Sequence, residues 1–352
     1  MTLKEQPPSH SQSQSHPIAN CNALFPPSMP WKMRLAFKLG SAITDASRRS
    51  DGTIKRRLLS FISLSSSASL RPYSGVRSSD FTLNPPHNLR IRVFVPAQPP
   101  STPLPILVFF HGGGFAYLSA TSTFYDAVCR RFCNKIQAVV VSVDYRLSPE
   151  YRCPAQYDDG VEVLRYLDSG KVQAEKVMEG IKLDWSSCFL SGDSAGANIA
   201  HHVARRFCTE ATSWIRIKLA GVVSIQPFFG GEERTESEIR LEGAPIVSME
   251  RTDWMWKAFL PEGADRNHEA AHVFNQTIEL GSTFPPVLLV IGGYDPLQDW
   301  QRRYHEMLKK KGKEVRLLEY PNAVHAFYVF PFEESKQLLA EIKAFVEEKR
   351  SN

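Results

Sequence analysis

Gly192-Asp193-Ser194-Ala195-Gly196 follows the apolar run Ser187-Cys188-Phe189-Leu190-Ser191 and precedes the helix-compatible run Ala197-Asn198-Ile199-Ala200. The stretch reads as a strand, a sharp turn and a helix, with a serine at the bend. Glycine is needed two positions either side of it because the backbone turns so tightly that a Cβ there would collide. The serine is then held in a strained conformation with Oγ above the sheet edge. Gly and Ser are common, so the five residues alone are only moderately specific. A second element upstream raises the specificity: the apolar run 105–110 leads into His111-Gly112-Gly113-Gly114-Phe115.

Three consecutive glycines after a buried strand let backbone N–H groups approach a ligand without side-chain obstruction. An acyl-transfer reaction places negative charge on a carbonyl oxygen, and such amides stabilise it. The expected donors are the N–H groups of Gly113, Gly114 and Ala195, the last at the positive end of a helix dipole. Losing one donor of this kind costs ~3 kcal/mol of transition-state stabilisation.

A serine hydroxyl is a weak nucleophile until a base takes its proton, so the pattern calls for a histidine and an orienting acid. The buried-strand run 286–291 ends in Gly292-Gly293-Tyr294-Asp295-Pro296-Leu297, which puts Asp295 at a strand's carboxyl end. The strand-like run 314–320 leads into Pro321-Asn322-Ala323-Val324-His325, which puts His325 in the following loop. Serine, acid and histidine in that chain order, each after a strand, have the arrangement of an α/β-hydrolase triad. Asp299 is a rival acid, but it should already lie inside the next helix. His201 and His202 are roughly 10 Å along the helix from Ser194, out of reach, and read as surface or groove residues. His305 reads as part of a solvated helix face.

His268-Glu269-Ala270-Ala271-His272 matches the H-E-x-x-H zinc pattern. Its context is turn-rich, and Asn275 and Ile278 stand where the extended pattern has glycine and a third histidine. No metal site is expected there. His10 and His16 in the N-terminal tract read as part of a solvated tail.

Together with Asp144-Tyr145-Arg146-Leu147-Ser148-Pro149-Glu150 and Pro154-Ala155-Gln156-Tyr157-Asp158-Asp159-Gly160, these motifs resemble the hormone-sensitive-lipase branch of the α/β-hydrolases. More narrowly, the chain resembles plant carboxylesterases, which share that branch with the gibberellin receptors. The resemblance covers roughly residues 30–348. It implies Ser194, Asp295 and His325 as a triad, His111, Gly112 and Gly113 in the oxyanion-hole motif, no cofactor, and a small-molecule carboxylic ester as substrate. The receptors keep the elbow serine but lack the histidine, and their glycine run ends in serine. Here His325 is present and Gly114 completes the run. Met255 and Thr252 stand where the receptors carry a hormone-contacting tyrosine and an arginine, which favours an esterase over a receptor. A receptor-like binder, a dehydratase or a cyclase on the same scaffold is the alternative. Tyr125 resembles a receptor pocket tyrosine, which implies substrate contact.

A chain of 352 residues without a disulfide framework is long enough for one large α/β core. Strands are expected at 89–95, 105–110, 138–144, 188–192, 222–227, 286–291 and 314–320. Helices are expected near 154–167, 195–207, 297–310 and 333–348, giving one mostly parallel sheet flanked by helices. The expected organisation is a disordered tail at 1–20, an N-terminal lid segment at 21–79 and a hydrolase domain at 80–352 with an insertion at 230–282. Trp254, Trp256 and Phe259 of that insertion are expected either to face the pocket or to anchor the insertion to the core. From Trp31 the pattern is helix-compatible, with Met33, Leu35, Ala36, Leu39 and Ile43 apolar.

Net charge is +5, and residues 1–60 hold nine Lys/Arg against three Asp/Glu, so the excess is local. Lys55-Arg56-Arg57 is too short and too apolar in its surroundings for a nucleic-acid patch. The start of the chain lacks a signal-peptide core, and no run of about 18 apolar residues occurs. The expectation is therefore a soluble cytoplasmic protein, with the nucleus as a second compartment and no membrane insertion. Its six scattered cysteines are expected to be reduced structural thiols.

Overall fold

The computed structural model describes residues 24–59, 64–209, 214–275 and 278–350. The expected tail at 1–20, with His10 and His16, lies outside the described residues, as does Cys21. The sheet has eight strands: β1 (Val76–Asn84), β2 (Leu89–Pro96), β3 (Leu104–Phe110), β4 (Val139–Asp144), β5 (Leu183–Asp193), β6 (Leu219–Ile225), β7 (Val287–Tyr294) and β8 (Val315–Val324). Their spatial order is β1-β2-β4-β3-β5-β6-β7-β8. β2 pairs antiparallel with β1 and with β4, and every later pair is parallel. The helices are α1 (Trp31–Ser47), α2 (Arg56–Leu59), α3 (Thr123–Phe132), α4 (Ala155–Asp168), α5 (Ala195–Thr209), α6 (Glu236–Arg240), α7 (Met249–Phe259), α8 (Gln298–Lys310) and α9 (Glu333–Arg350).

The central strands are continuous apolar runs because both of their faces are covered. Successive side chains of β3 divide between two layers: Ile106, Val108 and Phe110 pack with α4 and α5, whereas Leu107 and Phe109 pack with α3 and α9. β1 is absent from the sequence-based expectation. It is an edge strand with alternating exposure and carries Ser78, Ser79 and Asp80, so it lacks the apolar run that marks the others. Asp80 accepts from the buried Arg92 of β2 at 2.6 and 2.7 Å, which fixes the hairpin.

Two pieces lie outside the sheet, and they hold each other. The segment between β6 and β7 carries α6 and α7, while the N-terminal piece carries α1. Arg251 of α7 grips both Asp45 oxygens, at 2.8 and 2.7 Å. Trp254 Nε1 donates to Arg49 O at 2.9 Å, and Lys257 Nζ donates to Ser50 O at 3.1 Å. Leu35 and Leu39 of the apolar pattern in α1 are exposed, and Phe37 and Ser41 are buried instead.

Of the two readings of the α7 aromatics, their contacts fit the anchoring one. Phe259 stacks on Phe115 with centroids 3.6 Å apart, Trp256 packs against Phe115 and Phe228, and Trp254 packs on Tyr117. They anchor the insertion to the core and to the N-terminal piece. Met255 of α7 reaches the glycines themselves, because a Cβ on Gly114 would strike its Sδ.

Cys129, Cys133, Cys153 and Cys188 are free and buried. Burial pushes the Cys129 thiol up to about 12, so it is an inert packing group. Among the described residues, no helix is long and apolar enough to cross a membrane.

Candidate active site

Ser194 stands between β5 and α5 with φ +53°, a left-handed backbone that disfavours any residue with a Cβ. The turn is enforced by close contacts. A Cβ on Gly196 would strike Phe110 O, and one on Gly192 would strike the Gly196 carbonyl group. The end of β3 and the start of α5 are thus in backbone contact, which brings the glycine loop beside the elbow. Ser194 N–H donates to Ile225 O at 2.9 Å, and Phe228 N–H donates to Ser194 O at 3.0 Å.

The glycine loop is braced from below. His111 stacks on Tyr145 at 4.2 Å, the Tyr145 hydroxyl donates to His111 O at 2.7 Å, and His111 Nδ1–H donates to Gly112 O at 2.8 Å. Burial lowers the His111 pKa, so the ring is neutral and structural. Gly112 N–H donates to the Tyr125 hydroxyl at 2.8 Å, and that hydroxyl donates to Asp193 Oδ2 at 3.0 Å. Tyr125 is therefore a strut beneath the loop, buried and bonded to protein partners. Burial raises the Asp193 carboxyl to about 6, against the hydrogen bond from Tyr125.

Among the described residues, the N–H groups of Gly113, Gly114 and Ala195 donate to no protein acceptor. Ala195 N–H is also one of the unpaired amides that begin α5. These amides are available to a developing oxyanion.

Asp295 follows β7, and His325 follows β8. His325 Nδ1–H donates to Asp295 Oδ2 at 2.8 Å, and both side chains are buried. Asp295 Oδ1 accepts from Leu297 N–H at 2.9 Å. Gln226 and Gln301 also donate to Oδ2, at 3.0 and 2.9 Å. The sequence offers no motif around either glutamine. The only signal is an isolated polar residue after the apolar strand run of β6, and another on the buried face of α8.

Burial opposes the charged form of His325, but the Asp295 and Asp193 carboxylates outweigh it and raise its pKa above the ordinary 6.5. No hydrogen bond joins Ser194 Oγ to His325 Nε2 in this structure, and such contacts commonly tighten only when substrate binds. A groove of ≈ 420 Å³ lies behind the His325 loop, walled by Met29 and Met33 from the N-terminal piece and by Ala323, Val324 and Phe327.

The rival residues lie elsewhere. Asp299 is in the first turn of α8 and accepts from Ser237 N–H at 2.8 Å. His201 and His202 are buried rather than at the surface: His201 Nδ1 lies 2.9 Å from the Tyr304 hydroxyl, and His202 stacks on Tyr157. His305 is mostly buried rather than on a solvated helix face, its side chain only 15% exposed and its Nδ1 3.0 Å from Glu306 Oε1. Residues 268–272 form turns rather than a helix, and His268 Nδ1 accepts from Ala270 N–H. Among the described residues, no group of three metal-ligating side chains converges.

A family model described as alpha/beta hydrolase fold matches residues 107–329, the span from the strand before the glycine loop to just past His325. The chain belongs to the α/β-hydrolases. It is 41% identical over 333 residues to a gibberellin receptor of Arabidopsis thaliana, covering 90% of this chain and 93% of the receptor. It is 34% identical to carboxylesterase 20 of the same plant, covering 84% of this chain and 93% of that enzyme. A solved esterase from Pyrobaculum calidifontis superposes on this α/β-hydrolase with a TM-score of 0.67 at 26% identity, covering 92% of this chain and 94% of the esterase.

Proposed function

We propose that the chain is a serine carboxylesterase that hydrolyses small-molecule carboxylic esters. The observation that carries the reading is the buried Asp295–His325 pair at the strand edge that holds Ser194, beside three backbone amides with no protein acceptor. His325 Nε2 takes the Ser194 proton as Oγ attacks the ester carbonyl, and Asp295 stabilises the imidazolium. The amides of Gly113, Gly114 and Ala195 hold the oxyanion. The alcohol leaves with the proton from His325, and water then repeats the sequence on the acyl-serine. Hydrolysis of a short-chain p-nitrophenyl ester by the full chain, lost in Ser194→Ala, tests it.

A receptor-like binder on the same scaffold is the second reading, favoured by the higher identity to a gibberellin receptor than to the carboxylesterase. Saturable binding of a gibberellin without Ser194-dependent hydrolysis of any ester in a panel would select it. Labelling of Ser194 by an organophosphate would count against it.

The pH dependence has a definite sign. His325 acts as base only when neutral, and its pKa is raised above 6.5. Activity is therefore full above that raised value and falls as the pH drops through it. A kcat/KM profile for p-nitrophenyl acetate should show an acid limb with its midpoint above 6.5.

Arg56, at the start of α2, donates to Ala116 O, to Ser148 O at 2.6 Å and to the Glu150 carboxylate. It ties the N-terminal piece to the turn that closes the glycine loop. Charge-assisted bonds of this type are worth about 1.5–3 kcal/mol, so Arg56→Ala is expected to slow ester turnover roughly tenfold through a looser loop. Steady-state kinetics of the variant, with its melting temperature as control, decide this.

A further inference from the structure

Gln226 is placed like no other side chain near the site. It follows β6 directly, is buried, and has φ +45°, a backbone conformation that a glutamine adopts only when its surroundings impose it. Its main-chain N–H donates to Val290 O of β7 at 2.9 Å. Its side-chain amide is committed at both ends. Nε2 donates to Asp295 Oδ2 at 3.0 Å and to Val324 O at 3.1 Å, while Oε1 accepts from Ala326 N–H at 2.9 Å. Val324 and Ala326 are the two neighbours of His325. One amide therefore brackets the histidine's main chain on both sides and holds the carboxylate that the imidazole bonds.

The residue before it reaches the serine. Ile225, its immediate predecessor, accepts the Ser194 N–H. The elbow after β5, the acid after β7 and the histidine after β8 are thus linked through two consecutive residues at the end of β6. Gln301 differs: it donates to Asp295 Oδ2 and to Pro227 O, with no hydrogen bond to the His325 loop among the described residues. Space is made for Gln226 by Gly292, where a Cβ would lie 2.6 Å from Nε2.

Resting on the ester-hydrolase reading, we propose that Gln226 is a positioning residue of the Ser194–His325–Asp295 set, holding the histidine loop and the carboxylate in register with the elbow. Only a primary amide of this length meets the demand, since it offers donors at one end and an acceptor at the other. Glutamate lacks the donors, methionine lacks both functions, and asparagine is one methylene short. Gln226 also has an electrostatic task. As a neutral donor it disperses the charge on Oδ2, which tempers the carboxylate's pull on the imidazolium. The charged groups acting on His325 are Asp295, after β7, and Asp193, at the end of β5. Tyr125 and Tyr328, which act on Asp193, are kept neutral by burial.

The test uses Gln226→Glu and Gln226→Met in the full chain. The first reading is the ring titration of His325 by NMR, its resonance assigned by loss in His325→Ala. Removing the donor, and more so adding a carboxylate, should move the titration to higher pH by about half a unit or more. The second reading is p-nitrophenyl acetate hydrolysis, in which kcat should fall about 10- to 100-fold while KM stays within about twofold. A residue that served packing alone would leave the ring titration unmoved. Either folded variant with the wild-type titration and wild-type kcat overturns the proposal. Failure of both variants to fold also overturns it, because Gln226 would then belong to the architecture alone. The NMR reading does not depend on turnover, so a wild-type chain that hydrolyses no ester sinks the esterase reading and leaves the Gln226 question answerable.

Discussion

Ser194→Ala should lower kcat for a p-nitrophenyl ester by about 10,000-fold or more while leaving KM and the fold nearly intact. The size follows from the covalent route: without Oγ there is no acyl-serine, and only the amide donors and substrate binding remain to assist water. The fold should tolerate the change because the hydroxyl has no hydrogen bond to lose among the described residues, and alanine keeps the Cβ already accommodated at φ +53°. Ser194→Gly sharpens the test. Glycine adopts a left-handed backbone without strain, so this variant should be equally inactive yet more stable, by about 1 kcal/mol. Kinetics and thermal melting on the same preparations give both readings. Ser194→Ala with more than a tenth of wild-type kcat would place the chemistry elsewhere.

Gly113→Ala should cost about 100- to 1,000-fold in kcat, the range seen when one oxyanion donor is lost. Gly113 has φ +106°, and a Cβ there would collide with the Tyr117 carbonyl oxygen. That carbonyl cannot simply step aside, since Ala116 and Tyr117 N–H both fold back onto Gly113 O, at 3.1 and 2.9 Å. The added methyl must therefore turn the 113–114 peptide and its amides away from their present direction. The diagnostic pattern is a large fall in kcat with a small change in KM, because these donors act mainly on charge that develops at the transition state. A variant within threefold of wild type would remove the glycine loop from the mechanism.

The elements of the candidate site are readable because their requirements are local. A bend that excludes Cβ leaves glycines at fixed spacing, so Gly192 and Gly196 announce the elbow, and a buried strand followed by a loop locates Asp295 and His325. The supporting residues are not local. Gln226 meets Asp295 and Ala326 across 69 and 100 positions of chain, and nothing near it in sequence marks the encounter. Aromatic residues at helical spacing in α7 show that one face is buried, but not what it is buried against. The sequence therefore leaves Trp256 and Phe259 open between pocket and core, and the structure packs them on Phe115 and Phe228. The polarity of His201 and His202 suggests water, whereas neutral imidazoles pack on buried aromatics without needing a charge, His202 stacked on Tyr157 and His201 edge-on to Tyr304. β1 was missed because an edge strand needs only half an apolar pattern.

The mutual grip of α1 and α7 bears on how this scaffold could be re-engineered. Arg251 with Asp45, Trp254 with Arg49 and Lys257 with Ser50 make the two pieces a matched pair, which rests on the glycine loop through Arg56, Met255, Trp256 and Phe259. Exchanging residues 24–59 and 236–260 together with the counterparts of a homologue should transplant ligand preference, while grafting either half alone should leave orphaned charges and a poorly behaved chimera.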